Sequence, residues 1–104
     1  MTSTIVDETF ATGSQSHTLT TVLHMHGQVV RITVKRDTYK MQSYATAELL
    51  NTEKTWTTLV TEPASDWYDQ VPSYYARNAD HRNALARIVL GLQLRTEDIL
   101  SIYA

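Results

Sequence analysis

The chain has 104 residues, of which 42% are hydrophobic and 19% are charged. This size and composition are typical of one globular domain with a single core, and they exclude a two-lobed enzyme and a fully disordered chain. Nine basic and eleven acidic residues give a net charge of −2, which disfavours a strongly basic nucleic-acid-binding protein.

Features that the sequence lacks exclude further classes of protein. The chain has no cysteine, which excludes a disulfide scaffold, a zinc ribbon and thiol catalysis. No apolar run approaches the ~20 residues of a membrane-spanning helix, and no signal-peptide core follows Met1. We therefore expect one cytoplasmic domain over residues 1–104, with no membrane segment and no cofactor.

Residues 1–17 are polar, and we expect them to form an N-terminal arm or an edge strand. Ile5, Val6 and Phe10 are the apolar residues around which such a strand would form. Residues 11–16 have the composition of a loop. Sixteen threonines along the whole chain add a high propensity for β-structure.

Residues 18–61 alternate apolar with polar side chains, as strands with one buried face do. A two-residue hairpin loop at His26 and Gly27 would bring the large aliphatic residues of two strands to one face, whereas a one-residue slip would scatter them. The predicted register pairs Leu23 with Val30, Thr21 with Ile32 and Leu19 with Val34.

Two further hairpins complete the predicted sheet. The second hairpin, which turns tightly at Asp37, would place Val34 opposite Met41. The third hairpin would place Leu49 opposite Trp56. The result is an antiparallel meander of four strands, near residues 18–25, 28–36, 39–50 and 55–61, with a possible fifth strand from the N-terminal arm.

This register also distributes the threonines between the two faces of the sheet. Thr21 and Thr58 are expected to point inward, so that the outer face is a mostly uncharged hydroxyl surface with one basic and aromatic patch. The threonines expected on the outer face are Thr20, Thr33, Thr46, Thr55 and Thr57.

Residues 62–79 connect the sheet to the C-terminal region and contain both prolines and two aromatic pairs. A connection of this length is usually functional or packed down onto the core. The aromatic residues are Trp67, Tyr68, Tyr74 and Tyr75. Either Trp67 and one tyrosine of the second pair close the open end of the core, or the loop presents anchors that bind a protein partner.

Residues 80–103 are predicted to be helical, with Asp80 as the N-cap, and to pack on the inner face of the sheet. Small inner-face residues such as Ala45 leave room for this helix. Gly91 indicates either close packing or a break, and Thr96 is expected to cap a short terminal helix. The stripe that faces the core consists of Leu85, Ile88, Val89 and Leu92.

Leu90 and Leu94 lie toward another side of this helix, which is therefore more apolar than one sheet face requires. We expect the additional apolar surface of the helix to be covered by the aromatic loop or by the last turn. The alternative is that residues 84–94 form the interface of a homodimer.

His24 and His26 stand two residues apart, as the ligands of a metal ion on a strand do. The predicted hairpin places His26 in the turn, however, so that it no longer shares a face with His24. Because no spacing specifies a third ligand, we predict no metal site.

The predicted outer face also brings His24, Arg31 and Glu48 together. These residue types could supply the acid, the base and the phosphate-stabilising cation of a ribonuclease-like site. The glycine-rich phosphate loops and the nucleophile and zinc motifs of common enzymes are absent. We therefore expect no catalytic residues, and a ribonuclease-like enzyme is the alternative.

Arg31, Lys35 and Lys40 surround Tyr44 on the same face, with Tyr44 expected opposite Arg31. Basic residues around an aromatic ring suit single-stranded nucleic acid. One tyrosine is a poor stacking platform, which makes this a second alternative.

We predict an α+β domain whose function is to bind another protein. The supporting features are two sheet edges, the aromatic loop, the apolar helix and the separation of basic residues 28–40 from acidic residues 53–69. Such a module would occlude a site on its partner, as inhibitors encoded by phages or mobile elements do. A self-assembling structural subunit that uses the helix is a further alternative.

Overall fold

A five-stranded antiparallel sheet with one helix packed across it forms the fold, as seen in a computed structural model that describes residues 3–73 and 75–103. The strands follow one another in space as they do along the chain. The predicted α+β class is thus confirmed. The elements are β1 (Ser3–Thr12), β2 (Ser16–Met25), β3 (Gln28–Asp37), β4 (Tyr44–Leu50), β5 (Trp56–Glu62) and α1 (Asn78–Tyr103).

The β2–β3 hairpin has the predicted register. His26 and Gly27 both have positive φ angles, of 52° and 75°, which suits the two-residue turn of a tight hairpin. Met25 and Gln28 close the turn. The pairs Leu23–Val30, Thr21–Ile32 and Leu19–Val34 are all confirmed.

The predicted pairing of β3 with β4 is wrong by four residues: Val34 lies opposite Ala45, and Met41 is not in a strand. The connection is longer than a tight turn and contains the 3-10 turn Lys40–Gln42. Because the shift is an even number of residues, each β4 side chain keeps its predicted face. Ala45 and Ala47 are accordingly buried beneath α1.

A β-bulge between Ala47 and Glu48 changes the pairing of β4 with β5. Trp56 lies opposite Leu50 rather than Leu49, so the predicted pair is wrong. The extra residue in β5 precedes the buried Val60, and it reverses the face on which the preceding side chains point. Thr58, expected inside, is exposed for this reason.

Strand β1 pairs with β2 along almost its whole length, with an irregularity between Ile5 and Asp7. It is the fifth strand that the sequence left open, and its other edge is free of partners within the described chain. Phe10 faces the helix and packs against the core.

Helix α1 is continuous, so the predicted break and separate terminal helix are wrong. Thr96 does not cap a second helix; its side chain is buried and donates from Oγ1 to the carbonyl oxygen of Leu92 at 2.7 Å. The helix begins at Asn78, and Asp80 lies in its first turn rather than at the N-cap.

The core lies between α1 and the inner face of the sheet. The predicted stripe of α1 is buried there, and Leu100 of the last turns joins it. Leu90 and Leu94 remain 54% and 55% exposed, so neither the aromatic loop nor the last turn covers them. Within residues 3–73 and 75–103, no helix combines the length and apolarity needed to cross a bilayer.

Candidate functional site

A row of threonines crosses all five strands on the outer face, which is the face that points away from α1. Each threonine is the cross-strand neighbour of the next. The row separates Arg31 and Glu48 on one side from Lys35 and Tyr44 on the other, so the residues expected to bind single-stranded nucleic acid are split between its two sides. The row consists of Thr9, Thr20, Thr33, Thr46 and Thr61.

Arg31 and Glu48 neutralise each other. Arg31 donates from Nε and Nη2 to Oε1 of Glu48, at 3.0 and 2.9 Å. Its guanidinium lies 4.2 Å from the centre of the Trp56 ring. A carboxylate held in this way is not a free general base, and the arginine is covered on one side.

His24 lies on the same face as this pair but does not join it. Its strand partner is Val29, whereas Arg31 pairs with Val22. In the described part of the chain no hydrogen bond or ion pair links His24 to Arg31 or Glu48. The structure places the three ribonuclease candidates on one surface without assembling them into a site.

Lys35 and Tyr44 are cross-strand neighbours, and Tyr44 is not opposite Arg31 as expected. Lys40 is exposed in the 3-10 turn that follows β3. Three of the four residues proposed for nucleic-acid binding therefore lie toward one end of the sheet, and Arg31 is apart from them with its charge paired.

The aromatic loop is bound to the end of the sheet. Trp67 is only 2% exposed, and its Nε1 donates to the carbonyl oxygen of Glu62 at 3.3 Å. The structure therefore places Trp67 in the core rather than on a binding surface. Tyr75 is 95% exposed, and Tyr74 lies outside the described residues.

Tyr68 of the same loop is half-buried and well fixed. Its hydroxyl group lies 3.0 Å from the carbonyl oxygen of Asp37 and 2.9 Å from that of Thr38. These contacts join the loop to the β3–β4 connection.

An open apolar cavity of about 590 Å³ lies where Tyr68 meets the β3–β4 connection. Met41 and Tyr39 are 97% and 61% exposed beside it. We call this cavity the turn site. It is lined by Thr38, Tyr39, Lys40, Met41, Gln42 and Tyr68.

The alternation of side chains does not reveal the turn site, because it predicts one strand over residues 39–50 and places Met41 on the inner face. A usable signal was present in Asp37 and Ser43, whose side chains often stabilise turns. The amide of Tyr39 donates to Oδ1 of Asp37 at 2.9 Å, and the amide of Asp37 donates to Oγ of Ser43 at 2.8 Å.

A second feature missed from sequence is a buried group of basic side chains, which we call the buried basic cluster: His17, Arg36 and His81. All three are buried. The rings of His17 and His81 stack with centroids 3.8 Å apart and planes 12° apart. Arg36 is the cross-strand partner of His17.

Burial lowers the pKa of the His17 imidazole below its ordinary value, and the nearby His81 lowers it further. A hydrogen bond with the Asn78 side chain raises this pKa, and the Arg36 guanidinium lowers it. His17 and Arg36 each lie two residues from a core residue, Leu19 and Val34, so alternation places them on the same inner face. This alternation is the sequence signal for their burial.

No group of three or more histidine, aspartate or glutamate side chains in the described ranges is arranged to hold a metal ion. His24 is exposed on β2, and His26 lies in the hairpin turn as predicted. The two side chains do not form a common ligand set.

Comparison with known proteins gives no relative from which a function could be transferred. No family profile matches the chain, and neither a curated protein nor a solved structure is significantly similar to it.

Proposed function

We propose that the protein is a small non-enzymatic module that binds another protein through the turn site. The observation that carries the proposal is Met41, an apolar side chain that is 97% exposed beside a cavity with aromatic walls. Contiguous exposed apolar surface commonly marks an interaction site. Methionine suits such a surface because its unbranched, polarisable side chain adapts to the shape of a partner.

The walls of the turn site are held in place before a partner arrives. The single hydroxyl proton of Tyr68 is shared between the carbonyl oxygens of Asp37 and Thr38, which fixes one wall. The Ser43 side chain fixes the connection, since its hydroxyl group contacts the backbone of Asp37 and Tyr39. A preorganised site loses less conformational entropy on binding, which favours affinity.

The rim of the turn site is polar and includes Lys40 and Gln42. An apolar core with a polar rim is the usual arrangement of a protein interface. A partner that inserts one apolar side chain between Met41 and Tyr68, with an acidic residue near Lys40, would match this arrangement. Binding in this way would occlude the partner's own surface, which supports the inhibitor mechanism expected from the sequence.

The test is affinity capture from the native cell with immobilised full-length protein, with and without nuclease treatment. We expect Met41→Asp to reduce recovery of the captured partner about tenfold, because a charge in an apolar contact loses the burial energy of the anchor. Recovery should not depend on nuclease.

The matched control is Thr52→Asp, which adds the same charge at an exposed turn beyond the other end of β4. This variant should retain the partner. If both variants recover the partner as well as the unchanged protein does, the turn site is not the contact surface. If nuclease removes the captured material, the nucleic-acid alternative replaces the proposal.

Self-association is a second candidate function that one observation favours. Leu90 and Leu94 of α1 and Ile5 of β1 are each more than half exposed. A groove of about 220 Å³ lies between the two elements, with Ile5 and Leu90 in its walls. This apolar surface continues to the free edge of β1, where a second copy could pair.

A further inference from the structure

A cavity of about 180 Å³ opens along the seam where α1 passes the segment that follows β5. We call it the seam cavity. Its helix wall is formed by Arg87, Gly91 and Arg95, which follow one another at intervals of four residues and so lie on one face of α1. Its other wall includes Glu62 and Asp66. The cavity therefore has cationic groups on one side and carboxylates on the other.

Gly91 is the feature of the seam cavity that the packing of the chain does not explain. Glycine in the interior of a helix is unfavourable relative to alanine. Outside the backbone of α1 itself, no atom lies within 4 Å of the position that a Cβ would take. Glycine is, however, the residue that lets another molecule approach a backbone closely. Its place in the wall leaves the helix open to a molecule in the cavity.

The charges that line the seam cavity are paired in one case and unpaired in another. Arg95 forms an ion pair with Glu62 across the seam. In residues 3–73 and 75–103, Arg87 and Asp66 have no ion-pair partner and do not pair with each other. Both side chains are exposed, so water solvates them and neither requires a ligand. Together they decide which ligand the cavity favours.

The base of the seam cavity is apolar, because the buried side chains of Trp67, Ile88 and Leu92 line it. Pockets for drug-sized ligands enclose about 300–1,000 Å³, which is more than this cavity offers. A cavity of about 150 Å³ is large enough to hold a benzene molecule. The seam cavity thus suits a ligand of roughly six to ten non-hydrogen atoms.

The loop wall of the seam cavity is fixed by its own hydrogen bonds. Asp66 ends the 3-10 turn Ala64–Asp66, and its amide donates to the carbonyl oxygen of Pro63 at 2.9 Å. The indole of the next residue, Trp67, donates to the carbonyl oxygen of Glu62 at 3.3 Å. A wall that is ordered in advance loses less conformational entropy when a ligand binds.

We propose that the seam cavity binds a small zwitterion, a free α-amino acid with an apolar side chain. Its carboxylate accepts hydrogen bonds from the guanidinium of Arg87, and its ammonium donates to the carboxylate of Asp66. Its α-carbon passes over Gly91, and its side chain lies on the apolar base. This inference does not depend on the turn site, because the two cavities share no residue.

The test is a titration of the full-length protein with L-alanine, L-valine and L-leucine in turn, followed by NMR of the indole N–H signals. We expect at least one of them to shift the Trp67 signal in a saturable way and to raise the Tm. Trp56, which lies beside Arg31 on the sheet, is the internal control and should not shift. If none of the three amino acids shifts Trp67, the proposal is overturned.

Two modified ligands test the zwitterion itself. The N-acetyl derivative of the bound amino acid lacks the ammonium, and its amide derivative lacks the carboxylate. Each should bind at least about tenfold more weakly, because one of the charged contacts is lost. Equal binding of either derivative overturns the proposal.

Gly91→Leu should weaken binding at least about tenfold, because the new side chain fills the cavity. Leucine is a good helix former, and the position is exposed, so this variant should fold. Ala79→Leu adds the same side chain at an exposed position of the first turn of α1 and should bind normally. Undiminished binding by Gly91→Leu overturns the assignment to this cavity.

The two charged contacts have their own variants. Arg87→Gln and Asp66→Asn should each weaken binding at least about tenfold, because each removes one charge at an exposed position. Asp69→Asn, which removes a neighbouring exposed carboxylate outside the cavity, is the matched control and should leave binding unchanged. Full binding by both Arg87→Gln and Asp66→Asn would contradict the proposed contacts.

Discussion

At the residue scale, His17 shows how the fold alters the chemistry of a side chain. It is buried between Phe10 and His81 and is opposite Arg36. Burial and the basic neighbours disfavour the protonated imidazole, and the hydrogen bond with Asn78 opposes them only in part. The result is a pKa below the ordinary histidine value of 6.5.

This lowered pKa predicts that the protein loses stability in mild acid. The unfolded chain takes up a proton near pH 6.5, whereas folded His17 does so only at lower pH. The free energy of unfolding is therefore unaffected by this group above pH 6.5 and decreases as the pH falls toward the lowered pKa. Urea denaturation over this range, in buffers without phosphate, measures the effect.

The pH profile also has a matched control. His17→Gln should flatten the decrease in stability, because its side chain does not titrate. His24→Gln, which changes an exposed histidine of β2, should leave the decrease in place. Equal profiles for His17→Gln and the unchanged protein would show that His17 is not its source.

At the element scale, α1 shows how packing overrides local signals for the end of a helix. Gly91 and Thr96 both favour a break when they are considered alone. In the folded protein the buried Thr96 side chain bonds back to Leu92, and residues on both sides of Gly91 pack on the sheet. Tertiary contacts thus stabilise a continuous helix across both positions.

Gly91 is not required by close packing. A methyl group at this position would meet no other atom within 4 Å. Gly91→Ala should therefore raise the free energy of unfolding by about 0.5–1 kcal/mol, through the lower backbone entropy of the unfolded chain. The midpoint of urea denaturation measures this change. The reverse substitution Ala86→Gly, also exposed on α1, should lower stability by a similar amount, and a destabilised Gly91→Ala would contradict the explanation.

At the scale of the whole molecule, the sheet is covered on one face and the helix is not covered on the far side. The outer face stays in contact with solvent through its uncharged threonine row and the Arg31–Glu48 pair. Within the described residues, concave apolar surface lies at the turn site and along the groove between β1 and α1. A second protein that bound at either place would bury apolar area.

If the groove mediates self-association, Leu90→Asp should abolish it, because the charge would enter an apolar contact. Sedimentation velocity over a range of protein concentrations is the measurement. We expect a concentration-dependent dimer for the unchanged protein and a monomer for Leu90→Asp. Ile102→Asp, at an exposed site in the last turn of α1, is the control and should still dimerise. An unchanged protein that remains monomeric removes this candidate function.

The sequence by itself determined the fold class and the β2–β3 hairpin. These depend on short-range information: the alternation of side chains and two residues, His26 and Gly27, that suit a tight turn. The same alternation determined that positions 17 and 36 point inward. It therefore contained two of the three residues of the buried basic cluster, although His81 comes from a distant part of the chain.

Only the tertiary structure decided the remaining registers, the depth of Trp67 and the continuity of α1. Alternation has a period of two, so a shift of four residues between β3 and β4 leaves every face correct and cannot be recognised from the pattern. Packing against α1 distinguishes such registers, because it selects which small residues lie beneath the helix. The turn site and the buried basic cluster also depend on the tertiary structure, since each joins side chains that are distant in sequence.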